Sequence, residues 1–137
     1  MEKFLFVDDE EDIEFLAKQK FRKQISSGVF KLLFSRNGED ALELVQKDPH
    51  IAVVIVDLNM PGMDGFTLLD ELKGVNPTLK TIVVSAYSDM KTFRRAMNKG
   101  AFDFITKPVD FADLEDVMLR VLDLYRENRN APLSLNF

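Results

Sequence analysis

Ile51-Ala52-Val53-Val54-Ile55-Val56-Asp57-Leu58-Asn59-Met60-Pro61-Gly62-Met63-Asp64-Gly65 is the stretch from which the rest of the chain can be read. It opens with six apolar residues in a row, all but Ala52 β-branched. A run without polar alternation reads as a strand covered on both faces by helices. The run stops at a carboxylate, Asp57, and passes into Met60-Pro61-Gly62. Proline presets φ for the first corner of a turn, and glycine accepts the positive φ that a type II turn needs next. Asp57 is therefore expected at the C-terminal end of a central strand, facing a loop. In open parallel sheets ligands bind at that edge. A lone Asp there reads more readily as a solvated strand end, so its company decides.

Working outward, Lys3-Phe4-Leu5-Phe6-Val7 is a short apolar strand that breaks into Asp8-Asp9-Glu10-Glu11-Asp12. Ile13, Leu16, Ala17, Phe21 and Ile25 then recur as one face of a helix that ends at Ser26-Ser27-Gly28. Residues 29–34 form a second strand, and Asn37-Gly38 opens a helix carrying Ala41, Leu42, Leu44 and Val45. Asp64 can cap the helix after the central strand. Residues 79–84 form a fourth strand, followed by a helix capped by Ser88 or Asp89 that stops at Gly100. Residues 101–106 form a fifth strand, and a last helix starts near Asp110. Five strands alternating with five helices predict an α/β fold with a parallel sheet. A strand-order switch, as in the flavodoxin-like order 2-1-3-4-5, places the ends of strands one and three side by side.

The 137 residues fit one domain with a single core. Residues 1–127 are assigned to it and 128–137 to a polar, Pro-containing tail, expected to be loose or the start of a linker. With no cysteine, thiolate catalysis, disulfides and Cys-based metal sites are excluded. The longest apolar run is too short to cross a bilayer, and the chain opens on strand-like residues rather than a signal peptide, so the cytoplasm is expected and a membrane is not. A net charge of -5 argues against direct nucleic-acid binding, which requires a basic surface. The chain is expected either to act alone by docking or to be part of a longer protein.

Each strand offers a functional group at its C-terminal end: Asp8 and Asp9 after strand one, Asp57 on strand three, the Ser85 hydroxyl on strand four and the Lys107 ammonium after strand five. In a doubly wound sheet these ends converge. Three carboxylates in one pocket repel, so a proton or a cation must join them. Oxygen ligands without His or Cys favour Mg²⁺. A lysine and a hydroxyl opposite suit the oxygens of a tetrahedral anion. Each signal alone is weak, but their shared placement describes an aspartate that accepts a phosphoryl group, with Asp57 as in-line nucleophile.

Val7-Asp8-Asp9-Glu10, Val56-Asp57 through Gly65, Ser85-Ala86 and Gly100-Ala101-Phe102-Asp103-Phe104-Ile105-Thr106-Lys107-Pro108 resemble the motifs of receiver domains of two-component response regulators, with the layout of the single-domain chemotaxis regulator. The resemblance spans about residues 3 to 127. It implies that Asp57 is the phosphoacceptor. Asp9, Asp57 and the Asn59 carbonyl would bind Mg²⁺ directly, and Asp8 through water. Ser85 would bond the phosphoryl group and move toward it. Phe104, where many members carry Tyr, would be the aromatic switch, and Lys107 would contact the phosphate. A cis Lys107-Pro108 bond is also implied. Asn59 and Tyr87 stand where the family tunes phosphoryl lifetime; Tyr87 is bulky and a poor base, so shielding and slow loss are expected.

The implied partners are a sensor histidine kinase or a histidine phosphotransfer protein, and a target or output domain. The family's output face, formed by the fourth helix, fifth strand and fifth helix, also serves pairing of two chains. Lys91, Arg94, Arg95 and Lys99 make that fourth helix basic, a solvated or a docking face. Arg95 and Asp113 stand where some regulators form dimer ion pairs, whereas Phe102 and Val117 depart from that pattern. His50 is expected to be a loop residue, not a phosphodonor. Two other readings stay open: a constitutive docking module, and a Mg²⁺-dependent phosphohydrolase. The latter needs a second acid two residues after its nucleophile, where this chain has Asn59, and an amide cannot transfer that proton. The chain is thus read as a phosphoacceptor rather than an enzyme, with at most slow loss of its own phosphate.

Overall fold

The third strand is buried at every one of its residues, as its unbroken apolar run requires. It lies at the centre of a computed structural model that describes residues 2–130, with side chains to residue 127. Five strands, β1 (Lys3–Val7), β2 (Lys31–Ser35), β3 (Ile51–Asp57), β4 (Lys80–Ser85) and β5 (Asp103–Thr106), form one parallel sheet in the order β2-β1-β3-β4-β5. The helices are α1 (Glu11–Lys20), α2 (Arg22–Ser26), α3 (Gly38–Lys47), α4 (Gly65–Val75), α5 (Met90–Asn98) and α6 (Phe111–Asn130).

Six helices replace the expected five because the first is interrupted at Phe21, whose φ and ψ are -102° and 18°. The break lets the Phe21 ring enter the core edge-on to Phe30 and Phe111, at 6.0 Å from each, while Ile25 packs against the same cluster. Leu16, expected on the buried face, is 38% exposed, and its neighbour Phe15 is 68% exposed. Two strands begin two residues later than expected, at Lys31 and Asp103. Phe30 and Ala101 are buried without belonging to the ladder, so burial overstated the strands. The last helix runs through Asn130, past the expected boundary at 127, and residues 131–137 of the expected tail lie outside the described residues.

Alternation along the strands divides the core between the two faces of the sheet. Phe4, Phe6, Ile55, Ile82 and Val84 join Ala17, Phe21 and the buried stripe Leu114, Val117, Met118, Val121 and Leu122 of α6. Leu5, Val7, Val54, Val56 and Val83 face Ala41 and Val45 of α3, Leu68, Leu69 and Leu72 of α4 and Ala96 of α5. The long α6 stripe is therefore covered within the chain. Helix starts follow the capping expectations: Asp64 accepts from the Thr67 N–H at 2.9 Å and Asp89 from the Thr92 N–H at 3.0 Å. Gly62 has a φ of +81°, as the Pro61-Gly62 turn demands.

Register sets the site. Val7 pairs with both Ser35 and Val56, Asp57 pairs with Val84, and Ser85 pairs with Thr106. The residues next in the chain, Asp8 and Lys107, thus emerge on the same edge as Asp57 and Ser85. The Lys107-Pro108 bond is cis.

Candidate functional site

Asp57 ends β3 with 1% of its surface exposed. Its Oδ1 accepts the Asn59 N–H at 2.9 Å, and its Oδ2 accepts from the Lys107 ammonium at 2.9 Å. A buried carboxylate is tolerated when it is hydrogen-bonded and paired, and Asp57 is both. The loop after it holds its shape because Gly65 lets α4 start against the strand end. A Cβ there would lie 2.7 Å from the Leu58 Cα and 3.0 Å from the Asp57 carbonyl oxygen.

Asp8 is also buried, at 8% exposure, and its Oδ1 accepts the Glu10 N–H at 2.9 Å. Burial pushes its carboxyl up to about 6; the Glu10 N–H opposes the rise, and the charge on Asp57 adds to it. Lys107 reaches Asp8 at 3.6 Å and Glu10 at 3.8 Å. Burial works against its ammonium, but the hydrogen bond and charge of Asp57, with Asp8 and Glu10, outweigh it and hold its pKa above the ordinary lysine value. One cation thus faces several carboxylates. Glu10 was given no role by sequence reasoning, although it completes the acidic run.

Asp9 is exposed, and each of Asp8, Asp9 and Asp57 brings a carboxylate oxygen within 4.8 Å of the others. The fit to a hard divalent cation rests on this donor set: oxygens only, two buried and one open to water, with Lys107 offsetting part of the charge. These are the residues expected to hold Mg²⁺, together with Asn59, whose side chain is exposed.

The structure brings Ser85 to the same edge and engages its hydroxyl with Asn59 and Tyr87. Ser85 is fully buried; its Oγ donates to the Asn59 Oδ1 at 3.4 Å and accepts from the Tyr87 N–H at 3.0 Å. The Asn59 Oδ1 also accepts the Ala86 N–H at 3.1 Å. Sequence reasoning placed Asn59 at the site but missed this link to Ser85, which joins residues 26 apart and has no local signal. Tyr87 is 62% exposed. Phe104 is half-buried, edge-on to Phe93 of α5 at 5.6 Å between ring centres.

The basic helix expected at the output face is α5. Its Lys99 pairs with Asp70 at 2.7 Å, and the Arg95 guanidinium lies 4.0 Å from the Phe66 ring centre, so both cations also fasten α5 to α4. Met90 and Phe93 on the same helix are exposed. His50 lies in the turn before β3, is exposed, and accepts the Lys3 N–H through its backbone carbonyl. No helix among the described residues is long and apolar enough to cross a membrane.

Comparison with known proteins bears on the fold and the family of the chain. The chain is 33% identical over 131 residues to the DNA-binding transcriptional regulator NtrC of Klebsiella pneumoniae, covering 93% of this chain and 27% of that protein. It is 29% identical over 123 residues to Sporulation initiation phosphotransferase F of Bacillus subtilis, covering 90% of this chain and 95% of that one. The chain therefore spans about a quarter of the length of the first curated relatives and nearly the whole of the phosphotransferase. Among solved structures, NtrX from Brucella abortus superposes with a TM-score of 0.79 at 30% identity, over 94% of this chain and 29% of that one. The signal receiver domain of a Luxo repressor protein from Vibrio parahaemolyticus reaches 0.84 at 22% identity, over 93% and 95%, which bears on the fold. Residues 4–119 match the family model of the response regulator receiver domain, and the chain belongs to that family of two-component signalling modules.

Proposed function

We propose that this chain is a phosphoacceptor switch in which Asp57 takes a phosphoryl group from a phosphohistidine of a sensor histidine kinase or a histidine phosphotransfer protein. The observation that carries the reading is a buried carboxylate at the sheet edge, bonded to Lys107 at 2.9 Å and sharing its pocket with Asp8 and Asp9. In the transfer, an Asp57 carboxylate oxygen forms the new P–O bond while the P–N bond to the donor imidazole breaks, and the electron pair leaves with the imidazole. Lys107, drawn to Asp57 now, is within reach of the incoming oxygens and offsets their charge. Asp8, Asp9, Asp57 and the Asn59 backbone carbonyl would hold Mg²⁺, which when bound supplies positive charge against the phosphoryl oxygens.

Ser85 is the group that follows the phosphoryl oxygen, and Phe104 moves with it. The change spreads to α5, β5 and α6, the face that would meet a target, an output domain or a second chain. A shift of a few kcal/mol between two conformations is enough for such a switch. Asn59 supplies no general base and Tyr87 is a poor one, so the aspartyl phosphate is held rather than turned over; Tyr87 would shield it by folding over the site from its exposed position. This makes the chain a signalling protein of the cytoplasm and not a phosphohydrolase. The test is intact mass after incubation with acetyl phosphate and Mg²⁺, beside Asp57→Asn. One phosphoryl group gained by the wild-type chain and not by the variant is expected. No adduct on folded wild-type chain would overturn the proposal and favour a constitutive docking module.

A further inference from the structure

We infer that the Asn59 side chain is a latch that holds the resting state of the switch by occupying Ser85 and the connection that follows it. The inference rests on the phosphoacceptor reading and concerns the regulation of that same site. Asn59 touches both halves of the switch. Its N–H donates to the Asp57 Oδ1 at 2.9 Å, and its side-chain Oδ1 accepts from the Ala86 N–H at 3.1 Å and from the Ser85 hydroxyl at 3.4 Å. An amide oxygen has two lone pairs, so this acceptor is filled by the β4–α5 connection. The Ser85 oxygen in turn accepts the Tyr87 N–H at 3.0 Å. A hydroxyl with one proton to give cannot serve Asn59 and a phosphoryl oxygen together.

Moving Ser85 toward Asp57 therefore requires the Asn59 contacts to Ser85 and Ala86 to break. The backbone bond from Asn59 to Asp57 Oδ1 puts the latch one residue's length from the atoms that change on phosphorylation. Phosphoryl transfer to Asp57 disturbs the N–H bond that orients Asn59, and the same residue then releases the Ala86 amide. Ala86 is exposed, so water can replace the lost acceptor, and loosening the latch does not leave a buried donor unpaired. Asn59 acts through Ser85 and is a positioning residue.

The test uses beryllofluoride, a non-hydrolysable mimic of the phosphoryl group, so that an effect on the resting state is separated from any effect on phosphate loss. The full chain is titrated with beryllofluoride at fixed Mg²⁺, as wild type, Asn59→Leu, Ser85→Ala and the double variant. Asn59→Leu keeps the size and the backbone while removing the acceptor. It is expected to bind beryllofluoride about five- to tenfold tighter, the size of one net hydrogen bond released from the resting state. In the Ser85→Ala background the same substitution is expected to tighten binding by a smaller factor than in the wild type, because only the Ala86 contact is left to release. Equal or weaker binding by a folded Asn59→Leu variant overturns the latch. A wild-type chain that binds no more beryllofluoride than Asp57→Asn overturns the phosphoacceptor reading itself, and the latch with it. Wild-type amide exchange tests the latch without any variant: Ala86 N–H protection is expected to fall when beryllofluoride binds, and unchanged protection overturns the proposal.

Discussion

Replacing Asp8 by Asn is expected to stabilise the metal-free fold at neutral pH, although it removes a residue of the site. Asp8 titrates near 6 in the folded chain against an ordinary value of 3.8, chiefly because burial disfavours its charge. A raised carboxyl pKa means that the folded chain binds a proton the unfolded chain does not over that interval. The stabilising contribution is thus complete below pH 3.8, is lost as pH rises through about 6, and is absent at pH 7.5. An interval of about two pH units corresponds to roughly 3 kcal/mol, and solvent screening at a pocket on the sheet edge is taken to remove about half of that, leaving about 1–2 kcal/mol. The amide introduced by Asp8→Asn keeps an oxygen for the Glu10 N–H but carries no charge to desolvate. Thermal unfolding in EDTA is expected to show the variant about 3–6 °C more stable at pH 7.5. The gap should narrow below pH 6 and vanish near pH 4. Added Mg²⁺ should stabilise the wild type more than the variant by mass action. A variant no more stable than wild type at pH 7.5, or a gap that ignores pH, would refute the reasoning.

Lys107→Met is expected to cost about 2–4 kcal/mol at pH 7.5 without metal, because it leaves the 1% exposed Asp57 without its cation. Urea unfolding should show most of that loss recovered in the double variant with Asp57→Asn; additive losses would contradict it. Gly65→Ala should lower the urea midpoint by the equivalent of about 1–3 kcal/mol, since its Cβ meets Leu58 backbone that cannot rotate aside. Asp48 is held below the usual carboxylate value mainly by its 2.6 Å hydrogen bond from Lys3. Asp48→Asn should therefore cost about 0.5 kcal/mol at pH 7, and the cost should fade as pH falls below the ordinary carboxylate value and the wild-type group protonates. Phe93→Ala removes an edge contact worth about 0.5–1.5 kcal/mol to the resting Phe104 ring, and NMR shifts of that ring should report a changed rotamer population.

The fold was legible where the signal is local. An unbroken apolar run from Ile51 to Val56, short and mostly β-branched, reads as a strand between two helical layers, which it is. Capping by Asp64 and Asp89 and the turn at Gly62 depend on residues within three positions, so they too could be read directly. Strand alternation with helices, and the placement of a carboxylate, a hydroxyl or an ammonium at strand ends, are also properties of neighbours along the chain. These were enough to expect Asp8, Asp9, Asp57, Ser85 and Lys107 at one edge of the sheet, where the structure places them.

Only the tertiary structure decided how these groups meet. The Lys107 bond to Asp57 joins residues 50 apart, and it exists because β1, β3, β4 and β5 lie in one register. The Ser85 hydroxyl, brought to the same edge, hydrogen-bonds Asn59, a partner 26 residues away. Periodicity marked Leu16 as buried, yet the helix breaks at Phe21 because that ring has a place between Phe30 and Phe111, and Leu16 is left partly in water. Tyr87 could be placed beside the site by counting, but its 62% exposure is set by how the β4–α5 connection packs. Sequence determines what each position can do through chemistry carried by the residue itself; partners, orientation and burial come from segments far apart in the chain, and those are set when the layers pack.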